Sequence, residues 1–103
     1  MLNEKRVYDF IDAYQLRCGV ESRFIDLTSE IGELGKEILK GTEYHTREFA
    51  PTAGLSGKVG DCVFSLLALC QELGIDAEAA LREALDKYGA RMAKAGRIGS
   101  GND

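Results

Sequence analysis

The sequence predicts an all-α protein, a single bundle of four amphipathic helices. Apolar residues recur three and four positions apart in four separate stretches, and no stretch reads convincingly as a β-strand. The length of 103 residues, of which 45% are hydrophobic, suffices for one domain. We therefore expect one helical domain over residues 1–94 and a loose, glycine-rich tail over residues 95–103.

The first two helices are predicted over residues 4–17 and 22–40. Asn3 can cap the first helix, because its side chain can accept a backbone N–H of the first turn. Gly41 is a natural end for the second helix. The second helix also carries an amphipathic stripe that we expect to face the core. The stripe consists of Phe24, Leu27, Ile31, Leu34 and Ile38.

The last two helices follow a long loop, residues 41–54, and loops of this length in compact bundles often carry function. The third helix is predicted to begin near Ser56 and to end at Gly74, and its largely apolar circumference predicts the central position. The fourth is capped by Asp76 and runs to about residue 94. Its expected core face consists of Ala77, Ala80, Leu81, Ala84, Leu85, Tyr88 and Met92.

The composition narrows the possible functions and compartments. A net charge of −4 disfavours nucleic acid as the main partner, because binding a phosphate backbone calls for basic patches. Three cysteines without a CxxC pair, together with one histidine, disfavour a zinc site or a disulfide framework. The beginning of the sequence lacks the apolar stretch of a signal peptide, and no window suits a membrane span. We therefore expect a cytoplasmic protein with reduced thiols.

An acidic stripe runs along the second predicted helix. At about 100° per residue, Asp26, Glu30, Glu33 and Glu37 share one side of the helix, about 110° from the centre of the apolar stripe. Acids at this position lie at the edge of the core, where they can converge on something held between helices. A solvated helix face remains the simpler alternative for such spacing.

The third predicted helix offers an acid that can face this stripe. Asp61 lies three residues after Lys58, and antiparallel packing would bring it opposite Glu30 and Glu33. Several carboxylates in one cleft repel each other unless a cation neutralises them. Hard oxygen ligands of this kind suit Mg²⁺, with Mn²⁺ as a second possibility.

A basic pair lies on the fourth predicted helix. Lys87 and Arg91 are four residues apart, so both side chains can reach one polyanion such as a chain of phosphates. The alternative is the usual enrichment of basic residues toward the C-terminus of a helix.

Three segments resemble one protein family. SEIGELGKEIL, GKVGDCVFSLLALCQELGID and ALDKYGARMAKAG resemble the MazG-like nucleotide pyrophosphohydrolases of the all-α NTP pyrophosphatase superfamily. The likeness covers about residues 27–96 in the family's order, with the family pattern EExxE followed by ExxD. It implies a hydrolase that cleaves a nucleoside or deoxynucleoside triphosphate to a monophosphate and pyrophosphate. It also implies Mg²⁺ as the cofactor and a helical bundle completed by dimerisation, with two dimers sometimes paired into a tetramer.

The resemblance also assigns roles to individual residues. Glu30 and Glu33 match the second and third acids of EExxE, which implies that they are the catalytic carboxylates and, with Asp61, the metal ligands. Lys87 and Arg91 resemble the family's phosphate-binding pair. From the helical wheel we add Glu37, one turn beyond Glu33, as a supporting contact.

Two positions depart from the family pattern. Ser29 stands where the first acid of EExxE is expected, and Lys58 stands where ExxD has its glutamate. An ammonium group cannot ligate Mg²⁺, so Lys58 either pairs with an acid of the cleft or contacts a phosphate.

Several interpretations follow from Lys58 and remain open at this point. Another acid can offset the loss of the glutamate, and the candidates are Glu43, Glu48 and Glu72. Otherwise the chain is a catalytically impaired relative that binds nucleotide or a protein partner. A third possibility is a helical interaction module whose acids are merely solvated.

Overall fold

The computed structural model describes residues 3–97 and residue 99, and these residues form four α-helices and no strand. The helices are α1 (Glu4–Ala13), α2 (Val20–Gly41), α3 (Leu55–Leu73) and α4 (Ala77–Ala95). The predicted all-α class is therefore confirmed for this part of the chain. The predicted tail falls largely on residues 98 and 100–103, which lie outside the described residues. None of the described helices combines the length and hydropathy that crossing a bilayer requires.

Three of the helix ends are set by the predicted caps. The side chains of Asn3 and Asp76 each accept a backbone N–H in the first turn of α1 and α4. Gly74 ends α3 with a left-handed backbone, φ 68°. The start of α3 differs from the prediction, because Gly54 precedes the first helical residue and Ser56 lies inside the first turn.

The first helix ends four residues earlier than predicted. Gln15 adopts a left-handed φ of 55°, and two hydrogen bonds close the helix end around it. The Leu16 N–H donates to the Ile11 carbonyl at 2.9 Å and the Gln15 N–H to the Asp12 carbonyl at 3.3 Å. This pair of bonds is a Schellman ending, which usually has glycine at the left-handed position. Glutamine there leaves no sequence signal for the end of the helix.

α3 is the central helix of the described chain, as predicted. It packs against both α1 and α2, and it supplies three of the four buried apolar side chains. These four are Ile11, Leu67, Ala68 and Leu69.

α4 does not pack where the sequence predicted. Its start is held by α1, because the Ala77 N–H donates to Glu4 Oε2 at 3.0 Å. Beyond this first turn, α4 makes no extensive contact with another helix of the described residues. The four large residues of its expected core face, Leu81, Leu85, Tyr88 and Met92, are 38–59% exposed. The expectation that this face is buried is wrong for the single chain.

Glu72 holds the connection between α1 and α2 against the end of α3. Its carboxylate accepts hydrogen bonds from the Arg17 guanidinium at 3.1 Å and from the Cys18 N–H at 3.0 Å. The Glu72 side chain is only 7% exposed despite its charge. The hydrogen bond from Arg17, followed by that from Cys18, lowers the pKa of Glu72 to about 2.

This pKa shift predicts a dependence of stability on pH. The Glu72 pKa is depressed in the folded state, so its stabilising effect is complete above the ordinary glutamate pKa of about 4.3 and is lost between there and about pH 2. We expect Glu72→Gln to destabilise the fold at pH 7 and to have a much smaller effect at pH 2.5. Urea unfolding at both pH values measures this difference. Glu78→Gln is a matched control on exposed α4, and an equal loss for Glu72→Gln at both pH values would contradict the assignment.

The loop after α2 returns tightly against the end of that helix. The Ala50 N–H donates to the Gly41 carbonyl at 2.9 Å. A Cβ added at Gly41 would lie 2.6 Å from Phe49 Cε1 and 2.8 Å from the Ala50 carbonyl oxygen. Three successive residues, Glu43 to His45, adopt positive φ, and Thr42 Oγ1 accepts the His45 N–H at 3.0 Å. The loop therefore needs glycine at position 41.

Alanine substitutions test this close approach. We expect Gly41→Ala to destabilise the protein by about 1–3 kcal/mol, because the backbone oxygen of Ala50 cannot move away from the new methyl group cheaply. Gly32→Ala is the control, since a Cβ there meets no atom within 4 Å, and it should stabilise α2 by about 1 kcal/mol. Urea unfolding of both variants at one protein concentration checks the opposite signs. Equal effects would show that the Gly41 contact is not constraining.

Candidate functional site

Three contacts define how α2 and α3 face each other. They are Ser65 Oγ to Asp26 Oδ2 at 3.1 Å, Lys58 Nζ to Glu33 Oε2 at 3.9 Å, and the Glu37 carboxylate against Gly54. As the contact moves seven residues forward along α2, from position 26 to 33, it moves seven back along α3, from position 65 to 58. The helices are therefore antiparallel. Interpolation between these contacts puts Asp61 at the level of Glu30.

The acidic stripe of α2 faces α3 directly. The stripe covers a sector of about 60° around the helix axis, and this sector points toward α3. Its members are Asp26, Glu30, Glu33 and Glu37. The apolar stripe points about 110° away from that direction, and Phe24, Ile31 and Ile38 are exposed. The expectation that these three residues face the core is wrong for the single chain. The physical reason is that polar contacts between the acids and α3 set the rotation of α2.

Asp26 is neutralised by buried polar groups. Ser65 is buried and donates to Asp26 Oδ2, and the buried Arg23 guanidinium lies 3.6 Å from the same oxygen. Arg23 also donates to the Leu16 carbonyl at 2.7 Å, which ties the helix to its preceding linker. Sequence reasoning missed Arg23. The available signal was its position three residues before Asp26, on the same side of the helix.

Lys58 occupies the place where the family pattern has a carboxylate. Its ammonium lies 3.9 Å from Glu33 Oε2, which is too long for a hydrogen bond, and both side chains are partly exposed. An exposed pair of this kind contributes only about 0–1 kcal/mol. Lys58 therefore lowers the negative charge beside Glu33 without binding that carboxylate tightly.

Glu37 lies at one end of the cleft and contacts the backbone where α3 begins. It is buried, and a Cβ on Gly54 would come within 2.5 Å of Glu37 Oε1. The N-terminus of a helix carries partial positive charge, which favours a nearby carboxylate. Glu37 is thus placed one turn from Glu33 and against α3, and its predicted supporting role remains a prediction.

Two of the acids proposed to offset Lys58 are engaged elsewhere. Glu72 pairs with Arg17, and its position on α3 is about 21 Å along the helix from Lys58. Glu43 pairs with Arg47 inside the loop at 3.2 Å. Glu72 is therefore too far from Lys58 to replace the missing glutamate, whereas the role of Glu43 remains a prediction. Glu48 is exposed in the same loop.

The cleft between α2 and α3 offers carboxylate oxygens, which are the type of ligand that Mg²⁺ prefers. Mg²⁺ is commonly held by one or two carboxylates together with phosphate oxygens of a substrate, and Glu30, Glu33 and Asp61 offer carboxylates at adjacent levels. Among the described residues, no three or more Asp, Glu, His or Cys side chains converge closely enough to hold a metal by themselves. A divalent ion here would need further ligands, such as water or the oxygens of a bound phosphate.

The predicted phosphate-binding pair, Lys87 and Arg91, lies on α4, which does not pack extensively against the helices that carry the acids. Lys87 Nζ lies 5.0 Å from the centre of the Tyr88 ring, and the Arg91 guanidinium carbon lies 5.8 Å from it. Both cations thus lie near the same aromatic ring. Because α4 has no extensive contact with α2 or α3 in the described chain, the pair would reach the cleft either through a movement of this α4 or from the α4 of a second copy.

A separate groove lies between α1 and α3. Its volume is about 390 Å³, and its walls include Arg6, Phe10, Phe64 and Leu67. Phe10 and Phe64 meet edge to face, with ring centres 6.0 Å apart. Neither Asp61 nor any acid of α2 lines this groove, so the groove is not part of the acidic cleft.

Comparison with known proteins finds no match, since no family model, no curated protein and no solved structure is detectably similar to the chain. The likeness to MazG-like proteins therefore rests on the three sequence segments and their acids.

Proposed function

We propose that the chain is a Mg²⁺-dependent nucleoside triphosphate pyrophosphohydrolase of the MazG type, which releases pyrophosphate and a nucleoside or deoxynucleoside monophosphate. The observation that carries this proposal is the antiparallel register of α2 and α3, which sets Glu30 and Glu33 across from Asp61. The resemblance of these segments to the family supplies the reaction type.

Glu30, Glu33 and Asp61 are the residues that would hold Mg²⁺ in this proposal. When bound, the ion supplies Lewis-acid polarisation of the phosphates and lowers the pKa of bound water. Glu30 lies half-buried between the helices, where its position is restrained, whereas Glu33 and Asp61 are exposed to an incoming substrate. We assign Glu30 and Glu33 the role of orienting the attacking water and accepting its proton.

Lys58 has a role of its own in the proposed site. Its pair with Glu33 is long and partly exposed, so a divalent ion can displace it at little cost. Once displaced, the ammonium carries the charge and donors that suit a phosphate oxygen of the substrate.

A second candidate function is a MazG-like protein that binds nucleotide or a partner protein without turnover. The contact between Lys58 and Glu33 favours it, because a positive charge in place of a ligand weakens the attraction for a divalent ion. The two candidates differ in whether the protein as it stands releases pyrophosphate.

An assay of pyrophosphate release tests the proposed function. We expect the purified protein to release pyrophosphate from members of a panel of NTPs and dNTPs with Mg²⁺ or Mn²⁺. Glu33→Gln should lower kcat/KM by about 10²- to 10⁴-fold, since it removes a proton acceptor and a charge. Glu78→Gln on exposed α4 is the matched control and should leave activity unchanged.

Lys58→Glu separates the two candidates. This variant restores the family's ligand, so Mn²⁺ should bind at least about tenfold more tightly by calorimetry. Turnover by Lys58→Glu with none by the unmodified protein would replace the first candidate with the second. Absence of both metal binding and pyrophosphate release in the two proteins would remove the pyrophosphohydrolase proposal altogether.

The basic pair can be tested separately. We expect the double substitution Lys87→Ala and Arg91→Ala to raise KM by at least about tenfold, because phosphate contacts made by both cations are lost. Lys94→Ala in the last turn of α4 is the control. Mixing the double variant with Glu33→Gln then shows which α4 serves the cleft. Recovered activity means that the pair comes from another subunit, and no recovery means that it comes from the same chain.

A further inference from the structure

α4 is attached to the rest of the described chain mainly at its first turn. None of its residues, Ala77–Ala95, is buried, and it makes no extensive contact with another described helix. Packing along the length of α4 therefore does not set its direction. The direction depends on the place where α4 begins, which we call the α4 joint and define as residues 74–77 together with Glu4 of α1.

Local hydrogen bonds fix the backbone on both sides of the α4 joint. On the α3 side, Gly74 is left-handed and the Ile75 N–H donates to the Cys70 carbonyl at 3.0 Å, which is the Schellman pattern. On the α4 side, the Asp76 side chain accepts the Ala79 N–H at 3.0 Å. Neither set of bonds restrains the backbone torsions between Ile75 and Asp76, so the helices can change direction relative to each other at this point.

A carboxylate from α1 closes the α4 joint. Glu4 Oε2 accepts the Ala77 N–H at 3.0 Å and the Tyr8 hydroxyl at 3.2 Å. Burial, followed by the charge of Glu4, raises the pKa of Tyr8 to about 12, so the hydroxyl stays protonated and continues to donate. α1 is in turn fixed on the core by Ile11, which is fully buried. Glu4 therefore links the core to the first N–H of α4.

Side chains do not fill the space beside the α4 joint. A cavity of about 350 Å³ lies there, and its walls include Glu4, Tyr8, Ile75 and Asp76. Close packing therefore does not hold α4 in place at this point. The N–H groups in the first turn of a helix have no partner within that helix, so the Ala77 N–H can donate to Glu4 without breaking a bond of α4. Loss of this bond would leave the covalent connector as the main constraint on the direction of α4.

The length of α4 amplifies any change of direction at the joint. Lys87 and Arg91 lie 10 and 14 residues beyond Ala77, which corresponds to about 15 Å and about 21 Å along the helix. A rotation of about 20° at the joint would therefore move the backbone of Arg91 by about 7 Å. A charge-assisted hydrogen bond requires its two heavy atoms to lie within about 3 Å of each other. Such a rotation is thus large enough to separate the pair from a bound phosphate.

We propose that Glu4 is a positioning residue, which sets the direction of α4 and thereby the place of Lys87 and Arg91. Glu4 acts only through α4 and needs no contact with a substrate. Tyr8 supports the same role, because its hydroxyl donates to the oxygen that accepts the Ala77 N–H. That the basic pair binds phosphates rests on the function proposed above, whereas the effect of Glu4 on the direction of α4 does not.

Distances within one chain test the effect on α4 directly. Spin labels at the exposed positions Glu21 on α2 and Lys94 on α4 report the direction of α4 by double electron–electron resonance. Attachment through p-acetylphenylalanine avoids the three native cysteines. An excess of unlabelled protein restricts the signal to pairs of labels in the same chain. We expect a single narrow distance distribution when the joint is unmodified.

Two substitutions remove the hydrogen bond from opposite sides. Glu4→Ala removes the acceptor, and Ala77→Pro removes the donor. Proline suits the first position of a helix, and the extended backbone of Asp76, φ −75° and ψ 108°, suits a residue before proline, so Ala77→Pro leaves the fold of α4 intact. Each variant should broaden the distance distribution by at least about twofold, because the joint then allows a range of directions.

Glu4→Gln and Asp9→Ala are the matched controls. The amide oxygen of glutamine accepts the same two hydrogen bonds, so Glu4→Gln should retain the narrow distribution. Asp9→Ala removes another carboxylate of α1, whose partner is Lys5, and should also leave the distribution unchanged. An unchanged distribution in either Glu4→Ala or Ala77→Pro, or the same broadening in a control, would overturn the proposal.

Steady-state kinetics test the link between Glu4 and the basic pair. Glu4→Ala and Ala77→Pro should raise KM for a nucleoside triphosphate by at least about fivefold and leave kcat within about twofold, because the displaced pair no longer holds the phosphates. In the double variant Lys87→Ala and Arg91→Ala, the further substitution Ala77→Pro should not raise KM again. An equal rise of KM in that background would overturn positioning through the pair. Absence of pyrophosphate release from the unmodified protein would remove the proposed function, and the distances would then decide the role of Glu4.

Discussion

The side of α2 that faces α3 carries a row of carboxylates, and the rotation of both helices depends on how these charges are neutralised. A row of acids between two helices repels itself unless each charge is compensated. In this structure the acids have separate partners. Arg23 and Ser65 lie beside Asp26, and Lys58 lies beside Glu33. Glu37 lies beside the start of α3. Opposite partners at three levels fix the rotation and the register of both helices.

The same rotation moves the apolar stripe of α2 out of the contact. Phe24, Ile31 and Ile38 are then exposed, and the buried apolar core of the described residues is reduced to Ile11 on α1 and three consecutive residues of α3. Four buried apolar residues make a small core for a helical domain of this size. The acidic contact and the exposure of these apolar residues therefore have one cause.

Sequence periodicity identified the helices and the residues that share a face, but not the surface that each face contacts. The caps at Asn3, Gly74 and Asp76 were readable because each uses the expected residue type. The end of α1 was not readable, because Gln15 takes a left-handed conformation without being glycine. Spacing alone identified the acidic stripe and Asp61, and the resemblance to the family supplied their expected roles. The exposure of the apolar stripe was not readable, because the rotation of α2 depends on partners such as Ser65, 39 residues away from Asp26 in sequence.

The acids of α2 are not all equally well neutralised by their partners, and this difference bears on function. Asp26 accepts a hydrogen bond from buried Ser65, and Glu37 is buried against backbone, so neither is available to a substrate without disrupting the packing. At Glu33 the partner is a lysine 3.9 Å away, and the pair is partly exposed. A mobile cation or a phosphate can therefore enter at this level at the lowest cost to the fold. In the proposed enzyme, the part of the acidic row that contributes least to stability is the part that binds substrate.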